Sequence, residues 1–199
     1  MSAILIGVVL FATTNVDDLF VLLAFLCAPR LGLRNVIVGQ YLGIAVLFAA
    51  SALCAVASLT LPSKYVGLLG IAPIVIGIGK FRRRVREPEA AGFAGPARLS
   101  GASVLTVATV TVANGGDNIA VYVPVFALHR AGDIAVFAIV FAVMTALWVL
   151  SAHFLTSHPQ LGPPIRTVGS VIAPLVLIAL GVSIIVEAGT WRMILNFNK

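Results

Sequence analysis

A chain of 199 residues has the length of one domain, but 60% of the residues are apolar, only 10% are charged, and the mean hydropathy is +1.10. A soluble domain carries about 25% charged residues, so this composition cannot cover a water-facing surface. It excludes a soluble enzyme, a disordered tail and, despite the net charge of +6, a nucleic-acid-binding domain.

The chain reads as an all-α integral membrane protein. A crossing helix needs about 20 mostly apolar residues, and six segments qualify: 3–26, 36–60, 65–79, 102–128, 134–155 and 168–187. The third is short, with Leu61 and Pro62 available to extend it. The runs are continuous rather than alternating, which favours helices over a barrel. The first has no basic leader and carries Asp17 and Asp18 where a signal peptide needs an apolar core, so a permanent helix is expected there.

Lysine and arginine in short loops set orientation. One side holds nine: Arg30, Arg34, Lys80, Arg82, Arg83, Arg84, Arg86, Arg98 and Arg166. The other holds four, Lys64, Arg130, Arg192 and Lys199, which places both termini outside the cytoplasm of a multi-pass protein in the plasma (inner) membrane. Residues 80–101, KFRRRVREPEAAGFAGPARLSG, form a basic cytoplasmic linker between a first three-helix unit (1–79) and a second (102–199). The basic cluster is read as a topology determinant, with a lipid-headgroup site as the alternative.

The two units echo one another. At an offset of 99, Asn15 and Asp18 align with Asn114 and Asp117, giving Asn-x-x-Asp in both; at an offset of 101, Ile71-Ala72-Pro73 aligns with Ile172-Ala173-Pro174. Units with an odd number of spans insert in opposite senses, so the expected architecture is two inverted three-helix repeats, with a substrate site at the midplane between them.

Asp17, Asp18 and Asp117 fall deep in their spans. A carboxylate at a helix centre costs about 2.5–3.5 kcal/mol on the insertion scale and marks a functional site by default. Asn15 shares a helix face with Asp18, and Asn114 with Asp117; Thr14 lies four residues before Asp18, and Asn118 four after Asn114. Gly115 and Gly116 weaken the helix beside Asp117 and favour local unwinding. Gln40 and Tyr41 of the second span are supporting candidates. An oxygen-rich anionic set suits a divalent cation. Interhelical glue accounts for Thr14 or an asparagine but not for three acidic groups, which repel unless protonated or bridged by a cation.

Other residues have structural readings. Pro73 and Pro174 are candidate kinks, His129, His153 and His158 sit near span ends, and Glu187 ends the sixth span. Cys27 and Cys54 read as packing residues, with a soft-metal ligand as the alternative. Neither CxxC, HExxH nor GxxxxGK[ST] occurs, so thiol redox chemistry, that type of zinc hydrolase and direct ATP drive are not indicated, and no resident cofactor is expected.

TNVDDLFVL (14–22), GQYLG (39–43) and NGGDNIAVYVP (114–124) resemble the CadD family of cadmium resistance transporters, within the lysine-exporter superfamily of six-helix efflux proteins. The resemblance covers nearly the whole chain and implies export of Cd2+, with Zn2+ as a second candidate cargo, rather than enzyme activity. It implies a cation site at Asn15, Asp17, Asp18, Asn114, Asp117 and Asn118. Protons are a plausible coupling ion, the bilayer and the divalent cation are the expected partners, and homo-oligomerisation stays open. An exporter of Mn2+ or of a basic amino acid on the same scaffold, and a non-transporting membrane subunit, are the alternatives.

Overall fold

The computed structural model describes residues 2–27, 31–58, 67–86, 103–158 and 162–190. Among them there is no strand. Eight α-helices follow in order: α1 (Ala3–Thr14), α2 (Val16–Leu26), α3 (Leu33–Ser58), then a 3-10 turn η1 (Gly67–Gly70) leading into α4 (Ile71–Arg86), α5 (Val104–Asn114), α6 (Gly116–Leu128), α7 (Ala131–Ser157) and α8 (Gly162–Glu187). Leu33–Ser58 and Ala131–Thr156 are each long and apolar enough to cross a membrane alone. The first expected span is instead two helices bent by 59° at Asn15, and together they also reach crossing length. The fourth expected span is likewise divided, at Gly115.

Local chemistry accounts for the first break. Thr13, Thr14 and Asn15 turn their side chains back onto the preceding turn, donating to the carbonyls of Val9 (2.7 Å), Leu10 (2.9 Å) and Phe11 (2.9 Å). Such back-bonding competes with the main-chain ladder and bends a helix, and Asn15 leaves helical geometry at φ −109°, ψ 17°. At Gly115 the requirement is space. A Cβ there would collide with Leu47 Cδ1, whereas one on Gly116 would meet nothing within 4 Å. The break falls at the first of the two glycines, and Gly116 already belongs to α6.

Two apolar clusters flank the breaks. One joins Leu10 and Phe11 of α1 to Tyr122, Val125 and Phe126 of α6 and Phe137, Phe141 and Met144 of α7. The other joins Leu19, Leu22 and Phe25 of α2 to Val36 of α3, Val107 of α5 and Val149 and Ala152 of α7. The first cluster thus ties α1 to α6 and α7, and the second ties α2 to α3, α5 and α7. The outer surface is apolar, with Leu53, Val56, Leu105, Ile139 and Leu150 each more than 60% exposed. Thr14, Asn15, Asp18, Gln40, Thr111 and Asn118 are buried instead. This inside-out distribution fits a chain whose solvent is lipid.

Glycines set the helix spacing. A Cβ on Gly39 would lie 2.5 Å from Val107 Cβ, and one on Gly43 would lie 2.6 Å from Thr111 Cβ, so α3 and α5 touch along a Gly-x-x-x-Gly edge. Gly70, Gly77 and Gly181 do the same between η1–α4 and α8, where an added Cβ would come within 2.7 Å of a facing carbonyl in each case. Pro73 falls in the first turn of α4, where a missing N–H costs nothing; Pro174 lies inside α8.

One boundary moves. The expected linker begins at residue 80, yet α4 continues without interruption to Arg86, so Lys80 is helical. Residues 87–101 of that linker lie outside the described residues, as do Arg30, Leu61, Pro62, Lys64, Arg192 and Lys199.

Candidate functional site

The ends of four helices, α1, α2, α5 and α6, meet at the two breaks and bring most of the sequence-selected polar residues together. Asp17 and Asp18 lie in the first turn of α2, and Asp117 in the first turn of α6. Each break therefore gives its carboxylates a helix N-terminus, whose unpaired N–H groups and dipole favour negative charge.

Adjacent residues on a helix point about 100° apart, and the two aspartates of α2 part company. Asp18 is 2% exposed. Gln40 Nε2 donates to its Oδ2, and Asn114 Nδ2 donates to its Oδ1 at 3.1 Å. Gln40 is oriented in turn by Thr111, whose hydroxyl donates to Oε1 at 2.7 Å. The close α3–α5 contact at Gly39 and Gly43 brings Gln40 to this position, which gives the GQYLG stretch a physical purpose. Asp17 faces elsewhere. Its Oδ2 lies 3.5 Å from Lys80 Nζ, and the same ammonium lies 2.9 Å from Oδ2 of Asp117. These three side chains are between 31% and 46% exposed, so this end of the site is open.

A neutral network backs the carboxylates. Tyr122 OH lies 2.9 Å from Thr14 Oγ1 and accepts from Asn15 Nδ2 at 2.9 Å. With the Thr14 proton on the Leu10 carbonyl, the tyrosine donates to Thr14, and every group has a partner. Asn118 Nδ2 donates to Asn15 Oδ1 at 3.3 Å, linking the two breaks directly. Trp148 Nε1 donates to the Asn15 carbonyl at 2.6 Å, filling an acceptor left open where the helix stops.

Of the eleven sequence-selected positions, Thr14, Asn15, Asp17, Asp18, Gln40, Asn114, Asp117 and Asn118 take part in these contacts, and Gly115 shapes them. Tyr41 does not; its hydroxyl donates to the Ala142 carbonyl of α7 at 2.8 Å. Cys27 and Cys54 are exposed, Cys27 just past the end of α2 and Cys54 on α3. His129 and His158 sit at helix ends, their Nδ1 atoms 2.7 Å and 3.2 Å from the carbonyls of Val125 and Phe154. Among the described residues no three His, Cys, Asp or Glu side chains converge.

Lys80, Thr111, Tyr122 and Trp148 were not among the residues selected from sequence. Lys80 had a signal: no proline interrupts IVIGIGKFRRRVR, so the helical register carries through it. The other three are ordinary span residues until helix crossing gives them a partner.

Helices with an apolar outer surface, one buried carboxylate and several buried amides at paired breaks have the character of a polytopic membrane protein. A family model described as cadmium resistance transporter matches residues 11–197, nearly the whole chain, and the chain belongs to that family. It is a family of transporters rather than enzymes. Comparison with curated proteins gave no match, and neither did comparison with solved structures.

Proposed function

We propose that this chain is a secondary transporter that exports Cd2+, and Zn2+ with it, from the cytoplasm across a bacterial plasma membrane in exchange for protons. The observation that carries the reading is the shared cation: Asp17 and Asp117, one from each helix break, both meet the ammonium of Lys80. A place where two carboxylates already hold a positive charge is a place for a metal ion. Asp18, with Asn114 and Gln40, supplies the deeper end of the route.

Six spans follow if α1–α2, η1–α4 and α5–α6 each count as one. Reciprocal packing supports an inverted repeat: α1 and α2 lie on α7, α5 and α6 lie on α3, and α4 lies on α8. Exchanging the first three spans with the last three preserves that pattern. In the exchange cycle the aspartates bind metal when ionised and take up protons from the outer side after release, so the empty carrier returns with less charge. No nucleotide site or resident cofactor enters this scheme. Both termini face outward by the distribution of Lys and Arg.

Cd2+ uptake into everted vesicles tests this, with Asp18→Asn and Asp117→Asn beside the wild type, with and without an imposed proton gradient. Uptake that needs both carboxylates and the gradient is expected. Uptake indifferent to the gradient rejects proton coupling, and uptake unaltered in both variants rejects the site. Variants that behave as wild type in a chain without uptake favour a non-transporting subunit.

One observation favours a second reading. The converging donors are all oxygen or amide groups, whereas the two cysteines are exposed elsewhere, Cys27 just past the end of α2 and Cys54 on α3. Oxygen cages suit harder ions such as Mn2+. Competition of Mn2+, Zn2+ and lysine against labelled Cd2+ in the same vesicles separates these cargoes.

A further inference from the structure

We propose that Lys80 is a built-in competitor of the cargo: its ammonium occupies the Asp17–Asp117 pair when no metal is bound, and a divalent cation enters by displacing it. The inference rests on the reading that these two carboxylates receive the cargo. It adds a residue and a role to that reading.

Three observations carry it. First, one Nζ serves two carboxylates from different helix breaks, at 2.9 Å and 3.5 Å. Carboxylates that share a site repel unless protonated or bridged by a cation, so the ionised pair needs an occupant whenever the metal is absent. Second, the ammonium and a metal are mutually exclusive. A divalent cation binds carboxylate oxygen at about 2.0–2.6 Å, from zinc-sized to calcium-sized ions, and a second positive charge on the same oxygens would face it at van der Waals contact. Third, Lys80 has somewhere to go. It stands on α4 rather than on either broken helix, its side chain is 33% exposed, and its four-carbon stem is flexible.

Selectivity follows from charge. A monovalent ion gains nothing over a tethered ammonium of equal charge, which is held at high effective concentration. A divalent ion neutralises both carboxylates and wins. The tether also weakens metal binding by the work of displacing the lysine, which favours release, and it refills the pair when the carboxylates ionise again without metal.

The test is equilibrium Cd2+ binding to the full chain in lipid nanodiscs, titrated at low and high K+. Lys80→Gln is expected to bind Cd2+ about tenfold tighter at low K+, since the competing charge is gone, and to lose that gain as K+ rises. Wild type is expected to be nearly indifferent to K+, and Lys80→Arg to stay near wild type. Binding by Lys80→Gln that is equal to or weaker than wild type, or that stays insensitive to K+, overturns the proposal. Asp17→Asn and Asp117→Asn are run in parallel. Unchanged Cd2+ binding in both rejects the carboxylate site itself, whereas its loss in them beside an unaltered Lys80→Gln rejects only the role of Lys80. A wild-type measurement covers a variant that does not fold. Acylation of Lys80 by a small amine-reactive activated ester, read by mass spectrometry against Lys64 and Lys199, is expected to rise with saturating Cd2+. Labelling that stays level or falls overturns displacement.

Discussion

The side-chain amide of Asn114 donates to Oδ1 of Asp18 at 3.1 Å, so the asparagine of the second Asn-x-x-Asp motif holds the carboxylate of the first. The contact crosses the interface between the two broken helices. It makes each motif incomplete without the other, and it gives the deeper carboxylate two amide donors, Asn114 and Gln40, in place of a cation.

That arrangement fixes the response to Asp18→Asn. Both neighbours donate, and a carboxamide offers only one oxygen, so its NH2 group must face a donor. An unsatisfied buried polar group costs about 1–3 kcal/mol. A lower unfolding midpoint in detergent is expected together with lost transport, and an unchanged midpoint would mean that Asn114 or Gln40 flips to compensate.

Tyr122→Phe keeps the ring, which stands edge-on to Phe141 at 5.1 Å, and removes the hydroxyl joining Thr14 to Asn15. Each of the two buried bonds lost is worth about 1 kcal/mol net. Transport is expected to fall less than in Asp18→Asn. A full loss of uptake with normal folding would place the hydroxyl in the cargo route.

Trp148→Phe tests the break in the first span. The phenyl ring retains much of the edge contact with Phe11, at 5.4 Å in the wild type, but the Asn15 carbonyl loses its donor. Destabilisation of about 1–3 kcal/mol is expected from the orphaned acceptor. Thermal melts of the purified protein in one detergent measure it.

Gly43→Val separates helix spacing from chemistry. The new side chain must displace Thr111, whose Cβ and Cγ2 would lie 2.6 Å and 2.7 Å from the added Cβ. Overpacking of this kind costs about 1–3 kcal/mol, and here it also pulls Thr111 from Gln40 and so frees Gln40 from its place beside Asp18. Lowered Cd2+ uptake with all acidic residues intact is the expected outcome; wild-type uptake would show that α3 and α5 tolerate separation.

Membrane class, helix content and the acidic motifs were legible in the sequence because they are local. Apolar runs of span length have one way to satisfy their backbone in lipid, and Asn15–Asp18 and Asn114–Asp117 share helix faces through spacing alone. The Thr-Thr-Asn run held a local sign of the first break, in side chains that bond the turn behind them. Three things were decided only by the tertiary structure. Asp17 and Asp18 diverge because neighbouring helix positions point to different helices, and which helix each meets depends on how the spans cross. Lys80 left the basic linker for the site because α4 continues past the apolar run and packs where its ammonium reaches both breaks. Tyr122 and Trp148 became partners of Thr14 and Asn15 from more than 100 residues away. Periodicity tells which residues share a face, but the neighbour facing them is chosen by packing.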